Sequence, residues 1–372
     1  MSNPTTKVAQ FNGSPDGFAV SGPERYSNGL WLEEGTTNEI ANSSFETNAT
    51  GWTNNATGNT VARATGQASV GTASLQVIGD GSTGSQGAYN NASSPSAASG
   101  DVWALSADVY AQGSESLRFV AAERTAAGAS VVDTPGATLS LAAGWARRGS
   151  AIMLAGGAAV AQVRFKFVTP NAQAFSINLD AVQLEKKPYP TSYTPSTRAA
   201  SSASIPTAGI ISPVAGAVAF RTTPTIETGL EEIWGECGVK GSGTDHVRWG
   251  RDASKHPFVE WSSNDAAYQR LTGSETLNAL TAYDLYLGHS ATTISLAVDA
   301  GTLQTGTRDA ISASWGAGNL TLEATAGGVI YNQFAAFNRT LSASEIRTLD
   351  RRNSWSRTMF GNPFAYFQLR PY

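Results

Sequence analysis

The chain has 372 residues, too many for one ordinary hydrophobic core, and a soft prior of roughly 150 residues per domain gives two or three. Only 15% of the residues are charged, the net charge is −4, and Lys and Arg are scattered. The sequence therefore offers no basic stripe that would hold nucleic acid through phosphate contacts, and no run approaches the ~18 to 20 apolar residues of a membrane insertion.

Glycine is abundant (38), and the Ala, Ser and Thr content suits short strands and many turns, so the expected fold class is all-β. A single cysteine, Cys237, leaves the fold to rest on its cores rather than on a disulfide. Residues 1–40 show turn signals and no sustained period, as expected of an extended N-terminal leader, with one apolar knot at Leu30-Trp31-Leu32. The alternative for that knot is a strand packed on the first domain. From Ala41 to Lys187, short candidate strands alternate with Gly/Ser/Asn turns. Leu105-Ala107-Val109 and Val163-Phe165-Phe167 show the period of two that puts one face on a core. This spacing predicts a β-sandwich over 41–187.

The strand that closes it, Ile177 to Leu184, stops at Lys186-Lys187. Pro188, Pro190 and Pro195 then follow, so the chain can neither extend a ladder nor start a helix. Residues 188–206 read as an interdomain linker. A second set of strands begins at Gly216 and runs to Phe337, giving a second sandwich over 207–352. Ser342 and Glu345 form a Ser-x-x-Glu capping box, which predicts one short helix from Ala343 to about Arg352. The tail, 353–372, is dense in aromatic residues and is expected to be docked rather than left in water.

Several of these stretches carry a resemblance. Gln183-Leu-Glu185 followed by Thr191-Ser-Tyr-Thr-Pro-Ser-Thr-Arg198 resembles the junction of bacteriophage minor tail and virion surface proteins, where it closes a carbohydrate-binding-module-like jelly roll. The run ANSSFETNATGW from Ala41 is similar to the opening of such jelly rolls, and Gly29 to Asn38 resembles a segment that precedes them. The ending Asn338-Arg-Thr-Leu-Ser-Ala-Ser-Glu-Ile346 is similar to the close of laminin-G-like, concanavalin-type sandwiches, and Phe367-Gln-Leu-Arg-Pro-Tyr372 to C-termini of minor tail proteins.

The resemblance implies two β-sandwich domains in tandem in a non-enzymatic virion structural protein of the tail tip, fibre or capsid surface. Such a protein is assembled in the host cytoplasm and localises to the virion. Its implied partners are other virion proteins and host cell-surface glycans. Its implied state is a homo-oligomer, a trimer, with Phe360, Phe364 and Phe367 near subunit contacts. It also implies a structural Ca²⁺ held by Glu46 and Asp180, completed by backbone carbonyls, although Ala181 stands where the family has a second Asp. Two rival readings are a purely architectural subunit and a carbohydrate-active enzyme.

The enzyme reading would rest on Glu232-Ile-Trp-Gly-Glu236, because residues 232, 234 and 236 share one face of a regular strand. Concanavalin-like glycosidases carry a carboxylate at the centre of that spacing, and here it is Trp234, so no catalytic residue is assigned. His246, His256 and His289 lack the spacing and company of a zinc site. Trp249, Trp261 and Tyr268 fall on consecutive hairpin strands, with Arg248, Arg251 and Asp265 nearby. They are the candidate carbohydrate-stacking residues; the alternative for them is core packing.

Overall fold

The structure is a computed structural model and describes residues 19–21, 30–206, 211, 214–225, 229–239, 244–263, 266–299, 301–308, 318–337, 339–350 and 365–367. These residues form an all-β protein with one short α-helix and one 3-10 turn, Gly157–Ala159. Contacts divide them into two units, one spanning Thr36–Arg198 and one combining the residues just before Thr36 with those from Ala199 on.

The first unit is a sandwich of two five-stranded sheets. One has the order Ser130–Ser140, Ser116–Arg124, Gln162–Val168, Gly87–Asn90, Trp52–Asn54, and the other Gly144–Met153, Val102–Ala111, Ala174–Glu185, Ser74–Asp80, Asn59–Ala64. Period two decides what faces inward. Val163, Phe165 and Phe167 are fully buried with Phe119, while Arg164 and Lys166 point the other way. Burying one such side chain contributes about 1.5–3 kcal/mol, and Phe165 packs edge-on against both Trp52 and Phe119.

Residues 188–198, expected to be a linker, are docked on this sandwich. Glu185 is fully buried and accepts hydrogen bonds from the Thr191 backbone N–H (2.7 Å), the Thr191 hydroxyl (2.8 Å) and the Thr36 hydroxyl (2.6 Å). Gln183 donates to Thr191 (3.0 Å) and accepts from the Thr194 N–H (2.9 Å), and the Asn38 amide donates to the carbonyls of Val182 and Thr194. The prolines do stop the ladder. The segment stays ordered because Gln183, Glu185 and Asn38 take over the backbone groups that the ladder no longer serves.

The chain enters this unit at Thr36 and leaves it at Arg198, and the two crossings pair antiparallel, Thr36 with Arg198 and Thr37 with Thr197. In sequence, the first sandwich therefore lies between two strands of the second. The leader knot accounts for this: Leu30–Glu33 pairs with the strand Gly328–Phe337, and Ala19–Ser21 pairs with Ser202–Pro206. Both are strands of the second unit. Ser202–Pro206, inside the expected linker, is itself a strand between Ala19–Ser21 and Asn319–Glu323.

The second unit has two larger sheets. One orders Ala19–Ser21, Ser202–Pro206, Asn319–Glu323, Glu232–Gly238, Asp245–Arg251, Pro257–Ser263 and Gln269–Thr272; the other orders Leu30–Glu33, Gly328–Phe337, Gly216–Pro224, Tyr283–His289, Thr293–Val298 and Gln304–Thr307. Phe220, Trp234, Trp249, Trp261, Tyr331 and Leu32 fill the space between them. The helix Ala343–Asp350 starts as the capping box requires. The Ser342 N–H donates to Glu345 (2.8 Å), and the Glu345 N–H donates to the Ser342 hydroxyl (3.3 Å). Ile346 and Leu341 pack with Ala217, Ala219 and Tyr286. Of the tail, Ala365–Phe367 pairs with Phe334–Ala336; Phe360 and Phe364 lie outside the described residues.

Candidate functional site

The strand Glu232–Gly238 does not keep a regular period. Its register to Asp245–Arg251 shifts between Ile233 and Gly235, so Glu232 pairs with Arg251 whereas Glu236 pairs with Arg248. Arg251, Trp249 and Val247 face the core, and Arg248 and His246 face out. The bulge at Trp234 therefore puts Glu232 inside and Glu236 outside. Glu232 is fully buried, ion-paired to Arg251 at 2.8 Å and bonded by the Trp234 indole N–H at 3.0 Å. The two glutamates cannot act on one substrate as a pair, which corrects the same-face expectation.

On the outward face, Glu236 lies in a polar constellation. His246 is hydrogen-bonded through Nε2 to Glu236 (3.0 Å) and through Nδ1 to the Tyr268 hydroxyl (2.7 Å). The Arg248 guanidinium lies over the Tyr268 ring, 4.2 Å from its centroid, and donates to Glu260. Arg270 donates to the other Glu260 oxygen (2.5 Å) and to Glu231 (2.7 Å), and covers the Phe258 ring at 4.1 Å. Two guanidinium groups thus clamp one nearly buried carboxylate, which fixes both planes against the sheet.

Glu323, half-buried on the neighbouring strand, completes the face. Burial pushes its carboxyl up to about 7; the nearby Glu236 adds to the shift and Arg248 opposes it. A carboxyl with a raised folded-state pKa favours the fold while protonated and loses that advantage as pH rises. The stability of the second sandwich is therefore expected to fall between about pH 4.5 and pH 7 in the native chain. Glu323→Gln should flatten that slope in thermal melts recorded across the range; an unchanged slope would place its origin elsewhere.

Of the three candidate stacking residues, only Tyr268 lies on this face. Trp249 is 2% exposed and packs toward Phe220, and Trp261 is fully buried between Arg308 (3.8 Å to the ring centroid) and His289 (5.0 Å). A stacking platform needs an open ring face, so both tryptophans are core residues. The sequence held the signal: Val247 and Trp249, like Val259 and Trp261, are two apart, with His246, Arg248 and Glu260 at the alternating positions. Asp265 lies outside the described residues.

Glu46 and Asp180 converge on one loop of the first sandwich, 69–73. Asp180, fully buried, accepts the N–H groups of Ser69 (2.8 Å), Val70 (2.7 Å) and Ala181 (2.6 Å). Glu46 accepts those of Thr72 (3.0 Å) and Ala73 (3.3 Å) and the Thr72 hydroxyl (2.8 Å). Gly71 sits at φ +70, and a Cβ there would meet the Glu46 carboxylate at 2.3 Å. Burial holds Asp180 up at about 6 despite its three donors.

Calcium takes oxygen ligands, whereas the partners here are N–H groups and the Thr72 hydroxyl, all of them donating to the two carboxylates. Among the described residues no three His, Cys, Asp or Glu side chains gather for a metal. As placed, the pair does not fit a shared Ca²⁺; it is a clamp on the loop. A chelator is thus expected to leave the melting of the first sandwich unchanged, while Asp180→Ala should cost about 1–3 kcal/mol through the donors it orphans. A chelator-induced drop in melting temperature would restore the ion.

No protein-family model matches the chain, and no curated protein matches it. Among solved structures it is similar to the native heptameric SAP-like pentraxin of Limulus polyphemus (10% identity, TM-score 0.29, covering 38% of this chain and 73% of that one). It is also similar to the CBM40 of a Ruminococcus gnavus IT-sialidase bound to α2,3-sialyllactose (13% identity, TM-score 0.31, covering 37% and 83%). A third is the CBM22-1 xylan-binding domain of Paenibacillus barcinonensis Xyn10C (19% identity, TM-score 0.29, covering 41% and 93%). The chain spans about 40% of the length of the botulinum neurotoxin structures it also matches. At such scores no property of those proteins is carried over.

Proposed function

We propose that this chain is a non-enzymatic bacteriophage virion subunit, of the tail tip, fibre or capsid surface, whose second sandwich contacts host-surface glycans through the outward face around Tyr268. The observation that carries the glycan contact is the arrangement of that face. A half-buried tyrosine ring, with the Arg248 guanidinium over it, stands among guanidinium and carboxylate forks fixed by one another, which puts aromatic surface next to groups that exchange hydrogen bonds with sugar hydroxyls. The separation of Glu232 from Glu236 favours binding over hydrolysis.

The virion role is supported by the motif residues Gln183, Glu185, Thr191 and Thr194, which are the polar contacts that close the first sandwich. Their recurrence at a domain junction thereby has a physical reason. With this role goes a trimeric homo-oligomer.

Binding of the full chain to an array of surface glycans is expected, with at least tenfold loss in Tyr268→Ala and Arg248→Ala, equivalent to about 1.4 kcal/mol. Equal binding by the variants would assign contact to another surface. No binding at all would favour the architectural subunit. Light scattering of the full chain reads the trimer, and immunogold labelling of particles reads its place in the virion.

A further inference from the structure

A second surface lies on the first sandwich, on the outward side of the sheet that contains Ser116–Arg124 and Gln162–Val168. Paired positions share a face. Arg124 pairs with Gln162, Arg164 with Ala122, Lys166 with Val120, and Arg118 with Val168. Each of four successive outward rungs therefore carries one cation, at steps of two residues, or roughly 6.6 Å, over a span of roughly 20 Å. The next strand contributes one carboxylate, Asp133, which pairs with Ala122 and reaches both Arg124 (3.2 Å) and Lys166 (2.5 Å).

The other two cations have no acid among the described residues. Arg118 donates to the Thr138 hydroxyl (2.7 Å), and Arg164 donates to the Ser94 hydroxyl (2.7 Å) and the Asn91 side-chain oxygen (2.5 Å). Neutral partners hold the guanidinium groups in place and leave their charge uncompensated. The row beneath is small and apolar: Val120 is 4% exposed and Ala122 fully buried, while the Lys166–Asp133 pair crosses their strand. On a chain with net charge −4, a local excess of four cations over one carboxylate is a concentrated positive field.

We propose that this face binds an acidic, carboxylate-bearing polysaccharide, laid along the strands so that its carboxylates meet the guanidinium groups of Arg118 and Arg164, while Arg124 and Lys166, paired to Asp133, add to the field. Arginine suits a carboxylate through its planar fork. The groups between the cations are hydroxyls and amides (Thr138, Ser94, Asn91, Gln162) that match sugar hydroxyls. Single-stranded nucleic acid is the other linear polyanion, but its binding needs a stacking platform, and Tyr89, paired with Lys166, is the one aromatic residue on these rungs among the described residues. The residues of this face belong to the first unit, whereas Tyr268 belongs to the second.

The test uses the full chain and polygalacturonate, with dextran as the neutral polymer and duplex and single-stranded DNA as rival polyanions. Binding to polygalacturonate, none to dextran, and a steep loss between 50 and 200 mM salt are expected. Arg118→Gln/Arg164→Gln should weaken binding at least tenfold with the melting temperature unchanged. Arg118→Lys/Arg164→Lys, which keeps the charge and loses the planar fork, should bind between the native chain and the glutamine variant with the salt dependence retained, and Tyr268→Ala should bind as the native chain does. The proposal is overturned by absent binding, by equal binding to dextran, by tighter binding to either DNA, or by a folded glutamine variant that binds as the native chain does. If the glutamine variant fails to fold, the salt dependence and the lysine variant decide.

Discussion

Arg251→Met is expected to destabilise the second sandwich by about 3–5 kcal/mol, the usual consequence of removing one partner from a buried ion pair. Glu232 and Arg251 are both almost wholly inaccessible, and their 2.8 Å contact sits among tryptophans. Arg251 also donates to the Leu277 carbonyl (2.7 Å), and Glu232 accepts the Trp234 indole N–H. Without the guanidinium, a carboxylate is left in an apolar interior and must either keep an unpaired charge or take up a proton. The cost comes from the orphaned group and not from the pair as such. Glu232→Leu/Arg251→Met should therefore lie much closer to the native chain than either single change. Urea denaturation followed by tryptophan fluorescence measures all four proteins. A mild effect of Arg251→Met alone would mean that water or a neighbour replaces the lost partner.

That ion pair also shows where the sequence is a poor guide. Alternation within Val163–Phe167 and Leu105–Val109 was legible, because regular strands keep a period of two from end to end. So were the capping box at Ser342 and Glu345, a local pattern of four residues, and the two-sandwich class. Glu232 and Glu236 looked coplanar because nothing in the letters announces the bulge at Trp234, which reverses the face of every residue after it. The segment 188–198 looked like a linker because proline and threonine are common in linkers. What holds it is Glu185 and Gln183, whose partners lie up to 149 residues away. Trp249 and Trp261 were misassigned for a different reason: aromatic residues serve cores and sugar sites alike, and only burial separates the two.

Removing the residues before Thr36 is expected to leave the first sandwich folded and to abolish or sharply lower the melting of the second. The strand Leu30–Glu33 is an integral part of that second fold. It pairs residue for residue with Gly328–Tyr331, and Leu32 is fully buried in the core beside Val329 and Tyr331. The Glu33 N–H donates to the Ser201 hydroxyl (2.6 Å), while the Ser201 N–H donates back to the Glu33 carbonyl (2.8 Å). Loss of one buried leucine alone costs about 2–5 kcal/mol. Here the strand that carries it goes too, which opens the edge of Gly328–Phe337 to water and to other chains. The first unit keeps every element from Thr36 to Arg198, including the contacts around Glu185. Calorimetry should resolve two transitions in the full chain and preserve one in the shortened chain, with Leu32→Ala shifting the other by an intermediate amount. Two unchanged transitions in the shortened chain would show that the second sandwich closes without its N-terminal strand.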